Sequence, residues 1–315
     1  MEVESLKPWG TARILREAFK VPRKNGRIMS FVTFLTVLPL SLLILYHNVV
    51  LFPYAQRVVS KASLLPIDDP TSSEAAAGRA ELLRALRSFF IVEILYGSAI
   101  GIVTLVALMA TVYSIAAIHG RKHLTLRALS WRVATTWKRP LITWLYVVLI
   151  VVAFMLIFLF SVGAVALMLR EGIAMVAASV VLSILAVGFF IYFAAVFMLA
   201  LAAAIVEENC YGMEALGKAE VLIKGRKIQG FLLVLATSLC GVVIPWLWNL
   251  ITATKLELRI GVQIVLVCLF SFVKLWTFIV FTLFYCECKR GHGEKLEMEG
   301  LADEEPKYAA LSAKV

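Results

Sequence analysis

Along the chain, apolar runs that carry almost no charge alternate with short linkers dense in Lys, Arg and Glu. Six runs are long enough to cross a bilayer, which takes about 20 apolar residues for a hydrocarbon core roughly 30 Å thick. They lie near residues 28–52, 88–118, 141–168, 173–206, 229–253 and 260–285. None alternates polar and apolar faces as a helix on a water-soluble core does. The expected fold class is all-α: a polytopic membrane protein with six transmembrane helices. Pro39 and Pro245 lie inside runs one and five and predict kinks there. The first run is too long for the core of a cleaved signal peptide and reads as a retained anchor.

The linkers carry a second pattern. In the stretch ALGKAEVLIKGRKIQGF at 215–231, Ala215, Leu216, Ala219, Leu222 and Ile223 form one helical stripe. Glu214 precedes Lys218, and Glu220 precedes Lys224, by one helical turn. Gly225 suits a C-terminal stop. Such a helix is expected to lie in the headgroup plane with its stripe toward lipid. Related segments, LREAFKV at 15–21 and RALSWRV at 127–133, precede runs one and three, as LGKAEVL at 216–222 precedes run five. Setting Ala18, Ser130 and Ala219 equivalent also aligns Val21, Val133 and Leu222. A basic interfacial cluster closes each segment: Arg23, Lys24 and Arg27; Lys138 and Arg139; Lys224, Arg226 and Lys227. The chain therefore reads as three repeats of amphipathic interfacial helix plus helical hairpin, near 10–118, 122–206 and 211–287. Together they make a six-span membrane domain over 1–287, followed by a disordered cytosolic tail at 288–315.

The segment ALGKAEVLIKG, preceded by AIVEENCYGME, resembles a recurring pattern, E-x-x-x-x-x-E-A-L-x-x-[SA]-x-x-L-x-K-G. That pattern belongs to the glycerophosphodiester-phosphodiesterase membrane-domain-like superfamily, and RALSWRV is similar to its second copy. The whole layout, down to the tail DEEPKYAALSAKV, resembles a plant family of uncharacterised six-span proteins. Some of that family are labelled polyadenylate-binding-protein-binding. The resemblance implies the architecture only. Its motifs carry no catalytic residue, and the sequence holds no soluble phosphodiesterase domain to which that activity could attach.

Charge gives the direction of the spans. Residues 1–27, 119–139, 207–227 and 287–315 hold 22 Lys and Arg, against 8 in the linkers of the other side. The excess of basic residues marks the cytosolic side, so both termini and both long linkers are expected there. The net charge of +10 is then mostly membrane-facing and suits anionic lipid headgroups. Basic residues this close to membrane spans argue against nucleic acid as a partner. Five scattered cysteines do not make a disulfide framework. The expected location is an endomembrane or the plasma membrane.

Candidate chemistry is sparse. Glu93 and Lys274 are the formal charges inside the apolar runs, and an ionisable group in lipid is a functional candidate. Lys274 lies about 15 residues from either end of its run, near mid-depth. Glu93 and His47 lie toward the outer ends of theirs. With Asn48 and Asn249 they suggest a polar outer vestibule above Lys274, able to admit a small anion or a proton. The competing reading pairs Glu93 with Arg87 or headgroups and caps Lys274 on a carbonyl between helices. Gly97 and Gly101, and the alanines at 194–204, predict close helix approach, within the chain or in a homo-oligomer. Cys286 and Cys288, just past run six, are candidates for S-palmitoylation. Tyr308 and Leu311 fit a Y-x-x-hydrophobe sorting signal. The tryptophans, Trp276 among them, read as belt or packing residues.

No nucleotide-binding, metalloprotease or nucleophile-elbow motif occurs. The expected function is non-enzymatic and needs no cofactor or metal: organising membrane lipids or recruiting cytosolic proteins. The alternative is a transporter or channel for a small solute through a polar cavity involving Glu93 and Lys274. A lipid-handling enzyme has only family analogy behind it.

Overall fold

A computed structural model describes residues 10–24, 26–63, 73–119, 125–168, 172–207, 209–251 and 256–293. All regular structure among them is helical, in the order α1 (Thr11–Lys24), α2 (Gly26–Ser63), α3 (Ser73–His119), α4 (Leu126–Thr136), α5 (Lys138–Met168), α6 (Ile173–Val206), α7 (Met213–Ile223), α8 (Lys227–Ile251) and α9 (Leu256–Gly291). Six of these are long and apolar enough to cross a membrane. Their outward surfaces are greasy: Leu95 is 73% exposed and Phe160 79%, a state water would penalise and hydrocarbon does not. The molecule is an integral, multi-pass membrane protein.

The order is short, long, long, three times over. Neither Pro39 nor Pro245 ends its helix. Pro140 sits in the first turn of α5, where a missing N–H costs nothing. Thr125 caps α4 by accepting a hydrogen bond from the Ala128 N–H at 3.3 Å. Gly225, at φ +91°, follows the last residues of α7 in the left-handed region, as the sequence suggests. On the far side, α2 and α3 continue as helix well past their apolar stretches, and Lys61 pairs with Glu81 there.

The helices group into two compact units. One comprises residues 1–32, 108–242 and 273–315; the other 33–107 and 243–272. These groupings cut across the expected repeat boundaries. In the first unit, the C-terminal ends of α3, α6 and α9 are deeply buried, with Ala110, Ala116, Ala200 and Ala203 among the core positions. Small side chains there let backbones approach closely. Hydroxyls inside this core satisfy themselves on their own helix: Ser114 donates to the Ala110 carbonyl at 2.7 Å, and Thr282 to the Phe278 carbonyl at 2.7 Å.

Each short helix is tied to the last span of the preceding triplet, cyclically. The Tyr113 hydroxyl of α3 lies 2.8 Å from Thr136 Oγ1 of α4. Lys218 of α7 donates to Glu207, at the C-cap of α6, at 2.6 Å. Phe19 of α1 stacks on Trp276 of α9 at 4.9 Å. The third contact closes the ring.

The apolar stripe of α7 is as expected, but it does not face lipid. Ala215, Leu216, Ala219, Leu222 and Ile223 are all buried, and α7 packs on α6 and α5. In α1, Ile14, Ala18 and Val21 are buried in the same register. The middle copy departs from it: α4 buries Leu129, while Ser130 is exposed. Ser130 bonds its own Leu126 carbonyl at 3.0 Å instead.

Candidate functional site

In the second unit, α2 and α3 bring two of the predicted polar residues together. His47 Nε2 lies 3.2 Å from Glu93 Oε2. The imidazole also stacks on Tyr96, with ring centroids 4.0 Å apart. Tyr96, at i+3 from Glu93, shares that residue's face of α3. The partner found for Glu93 is thus His47, not the Arg87 of the competing reading. The Asn48 and Asn249 side chains lie outside the described residues. Lys274 is exposed on α9 near the middle of the helix and belongs to the first unit.

A larger polar cluster, in the first unit, was not anticipated from sequence. Glu207 ends α6, and its carboxylate gathers three donors. Lys218 Nζ reaches Oε2 at 2.6 Å, while Tyr285 Oη and Lys289 Nζ reach Oε1 at 2.9 and 3.1 Å. Burial alone would raise the Glu207 pKa. The hydrogen bonds from Lys218, Tyr285 and Lys289 outweigh it, so the carboxyl is held below its usual range. Burial, then the Glu207 charge, pushes the neighbouring Cys210 thiol up, which makes it a poor nucleophile.

Beside this cluster, Arg226 Nη1 lies 3.6 Å from Glu287 Oε2, and Arg290 Nη1 lies 3.5 Å from Oε1. Arg226 is therefore not part of an outward basic face. A Cβ on Gly291 would come within 2.9 Å of Arg226 Nη2, so the bare glycine leaves room for the guanidinium. The turn into α7 is fixed by Gly212. Its N–H donates to Thr143 Oγ1 at 2.9 Å, its φ is +62°, and a Cβ there would meet the Tyr146 ring at 3.3 Å.

The remaining expected features divide. Helix α9 runs on to Gly291, so residues 288–291 are not disordered tail. Cys288 is fully buried within it and presents no thiol for acylation, whereas Cys286 is partly exposed. Tyr308 and Leu311, and the side chains of Arg23, Lys24 and Arg27, lie outside the described residues. Lys138, Lys224 and Lys227 are exposed, and Arg139 is partly so. A Cβ on Gly97 would meet nothing within 4 Å, whereas Gly101 is buried. Close approach also occurs at Gly230 of α8, where a Cβ would meet Ile223, Phe284 and Ala195 at 2.9, 3.3 and 3.4 Å. Among the described residues, no group of His, Cys, Asp and Glu could hold a metal ion.

The family profile described as a domain of unknown function, DUF8558, matches residues 1–312. The chain belongs to the DUF8558 family. The match runs through every helix of this DUF8558 chain, so the spans, the short helices and the Glu207 cluster all lie within the family domain. No curated protein and no solved structure matches the chain.

Proposed function

We propose that this DUF8558 protein is a non-enzymatic membrane organiser whose three short helices gather anionic lipid on the cytosolic leaflet. The observation that carries the reading is a second, outward face on each of them. Exposed Phe19 accompanies exposed Arg16 on α1, Trp131 accompanies Arg127 on α4, and Val221 accompanies Lys224 at the end of α7. One large apolar side chain beside one cation is what a headgroup layer accommodates. The inner stripes hold these helices on the protein, so the outer faces form a fixed array. The cyclic short-on-long contacts support an internal threefold repeat. The basic linkers and both termini are read as cytosolic from the Lys and Arg excess.

The test is energy transfer from a dye on the protein to labelled anionic or zwitterionic lipid in mixed vesicles. Enrichment of the anionic lipid is expected, and the triple change Arg16→Gln, Arg127→Gln and Lys224→Gln should remove it. Equal transfer to both lipids in the parent protein would sink the reading, and recruitment of a cytosolic protein instead would replace it.

A second reading, transport of a proton or small solute, rests on the His47–Glu93 pair inside the spans. It requires that Glu93→Gln abolish a pH-driven flux in proteoliposomes while the protein stays folded. A parent protein with no flux above empty vesicles ends it.

A further inference from the structure

Between α5 and α6, in the first unit, lies a groove with walls made only of hydrocarbon side chains. Ile150, Val151 and Phe154 form one wall, and Phe189, Phe190, Phe193 and Phe197 the other. The aromatic rings are in register. Phe154 stacks on Phe189 at 5.7 Å, Phe189 meets Phe193 at 4.5 Å, and Phe193 meets Phe197 at 5.7 Å. From Phe189 to Phe197 the helix rises about 12 Å. Both walls belong to helices that qualify as membrane spans, so the medium that meets the groove is hydrocarbon.

One feature selects among hydrocarbons. Phe193, which lines the groove, also stands edge-on to Tyr192 at 5.7 Å. The Lys227 ammonium sits over the Tyr192 ring, 5.6 Å from its centroid. A cation–aromatic contact thus holds a positive charge at the rim of an apolar slot. An apolar slot with a basic rim complements a molecule with an apolar chain and an anionic head.

We propose that the α5–α6 groove is a binding site for one anionic phospholipid, its acyl chain along Phe154, Phe189 and Phe193 and its phosphate beside Lys227. The site differs from the outward faces of the short helices and uses none of Arg16, Arg127 and Lys224. The phenylalanine rings supply a rigid, flat wall for the chain at little entropic cost. Lys227 supplies the preference for negative charge.

The experiment reconstitutes the full chain in phosphatidylcholine vesicles containing a phosphatidylserine analogue with a photoactivatable group in its acyl chain. A phosphatidylcholine analogue bearing the same group serves as the comparison, and labelled peptides are mapped by mass spectrometry. Peptides bearing Val151, Phe189 and Phe193 should label about fivefold more with the anionic analogue, one basic residue's worth of attraction. Val151→Trp, which fills the groove, should cut that labelling to the level on other lipid-exposed helices. Phe190→Trp fills it from the opposite wall and replaces the first variant if that one does not fold. Lys227→Gln should equalise the two analogues without lowering the phosphatidylcholine signal. Labelling that is even over all exposed helices, indifference to both groove fillings, or an anionic preference that survives Lys227→Gln would each overturn the proposal.

Discussion

Replacing Glu207 by Gln removes one charge from a carboxylate that serves three donors. Lys289 is buried, so water does not make up for the loss of the Glu207 charge. Removing one partner of a buried pair costs about 3–5 kcal/mol. Lys218 is 33% exposed, so its share is nearer that of a surface pair, below about 1 kcal/mol. The amide oxygen of Gln still accepts one hydrogen bond, which places the expected loss at about 3 kcal/mol. For a chain of this size that lowers the unfolding midpoint by about 4–5 °C. The assay is fluorescence-detected thermal unfolding of the purified protein in one detergent at neutral pH. Lys289→Met and the double variant complete a cycle, in which a coupling of about 2 kcal/mol is expected. The cycle matters because Lys289→Met also removes contacts unrelated to Glu207. If Glu207→Gln unfolds within about 1 °C of the parent and the two changes add, the cluster does not hold α6 to α9 and the reasoning fails.

The same carboxyl sets a pH dependence. Its folded pKa lies below the ordinary 4.5, so its stabilisation is complete above that value and is lost as pH falls through the lower folded one. The midpoint of the parent protein should therefore drop more steeply with acid than that of Glu207→Gln, as parallel melts would reveal. Gly230→Val should cost about 2–3 kcal/mol, because its Cβ already meets Ile223, Phe284 and Ala195 and two methyls add to that crowding, whereas Gly230→Ala adds the Cβ alone, gains helix propensity and should lose less. Thermal melts rank the two, and a Gly230→Val midpoint equal to the parent's would contradict the close approach. Thr143→Val leaves the Gly212 N–H without its acceptor and should cost about 1–3 kcal/mol in the same assay. A maleimide should spare Cys288, which is buried, until the protein unfolds, as mass spectrometry of the labelled protein would show.

Length and hydropathy made the spans legible, because lipid demands long uninterrupted apolar helices whatever the tertiary packing. The stripe of α7 and its stop at Gly225 were equally readable, since both are local in sequence. Periodicity tells which side of a helix is apolar. It does not tell whether protein or lipid covers that side, and here protein does. The pairing of His47 with Glu93 was within reach, since both residues could be placed at similar depth from their distance to the span ends. The Glu207 cluster was not, because its donors lie 11, 78 and 82 residues away and only packing brings them near. The signal available was an acid placed directly at the end of a charge-free run. The Arg226–Glu287 pair is illegible for the same reason, so the sequence pattern alone places Arg226 on a basic face.

During synthesis, the last span of the second triplet emerges long before the segment that carries Lys289. Until those 82 residues have been made, the acid at its end lacks the ammonium and the phenol that later bind it. A nascent chain halted between α7 and α9 would thus display a half-satisfied carboxylate beside the bilayer. The third triplet thus completes the satisfaction of a charge that the second leaves at its end.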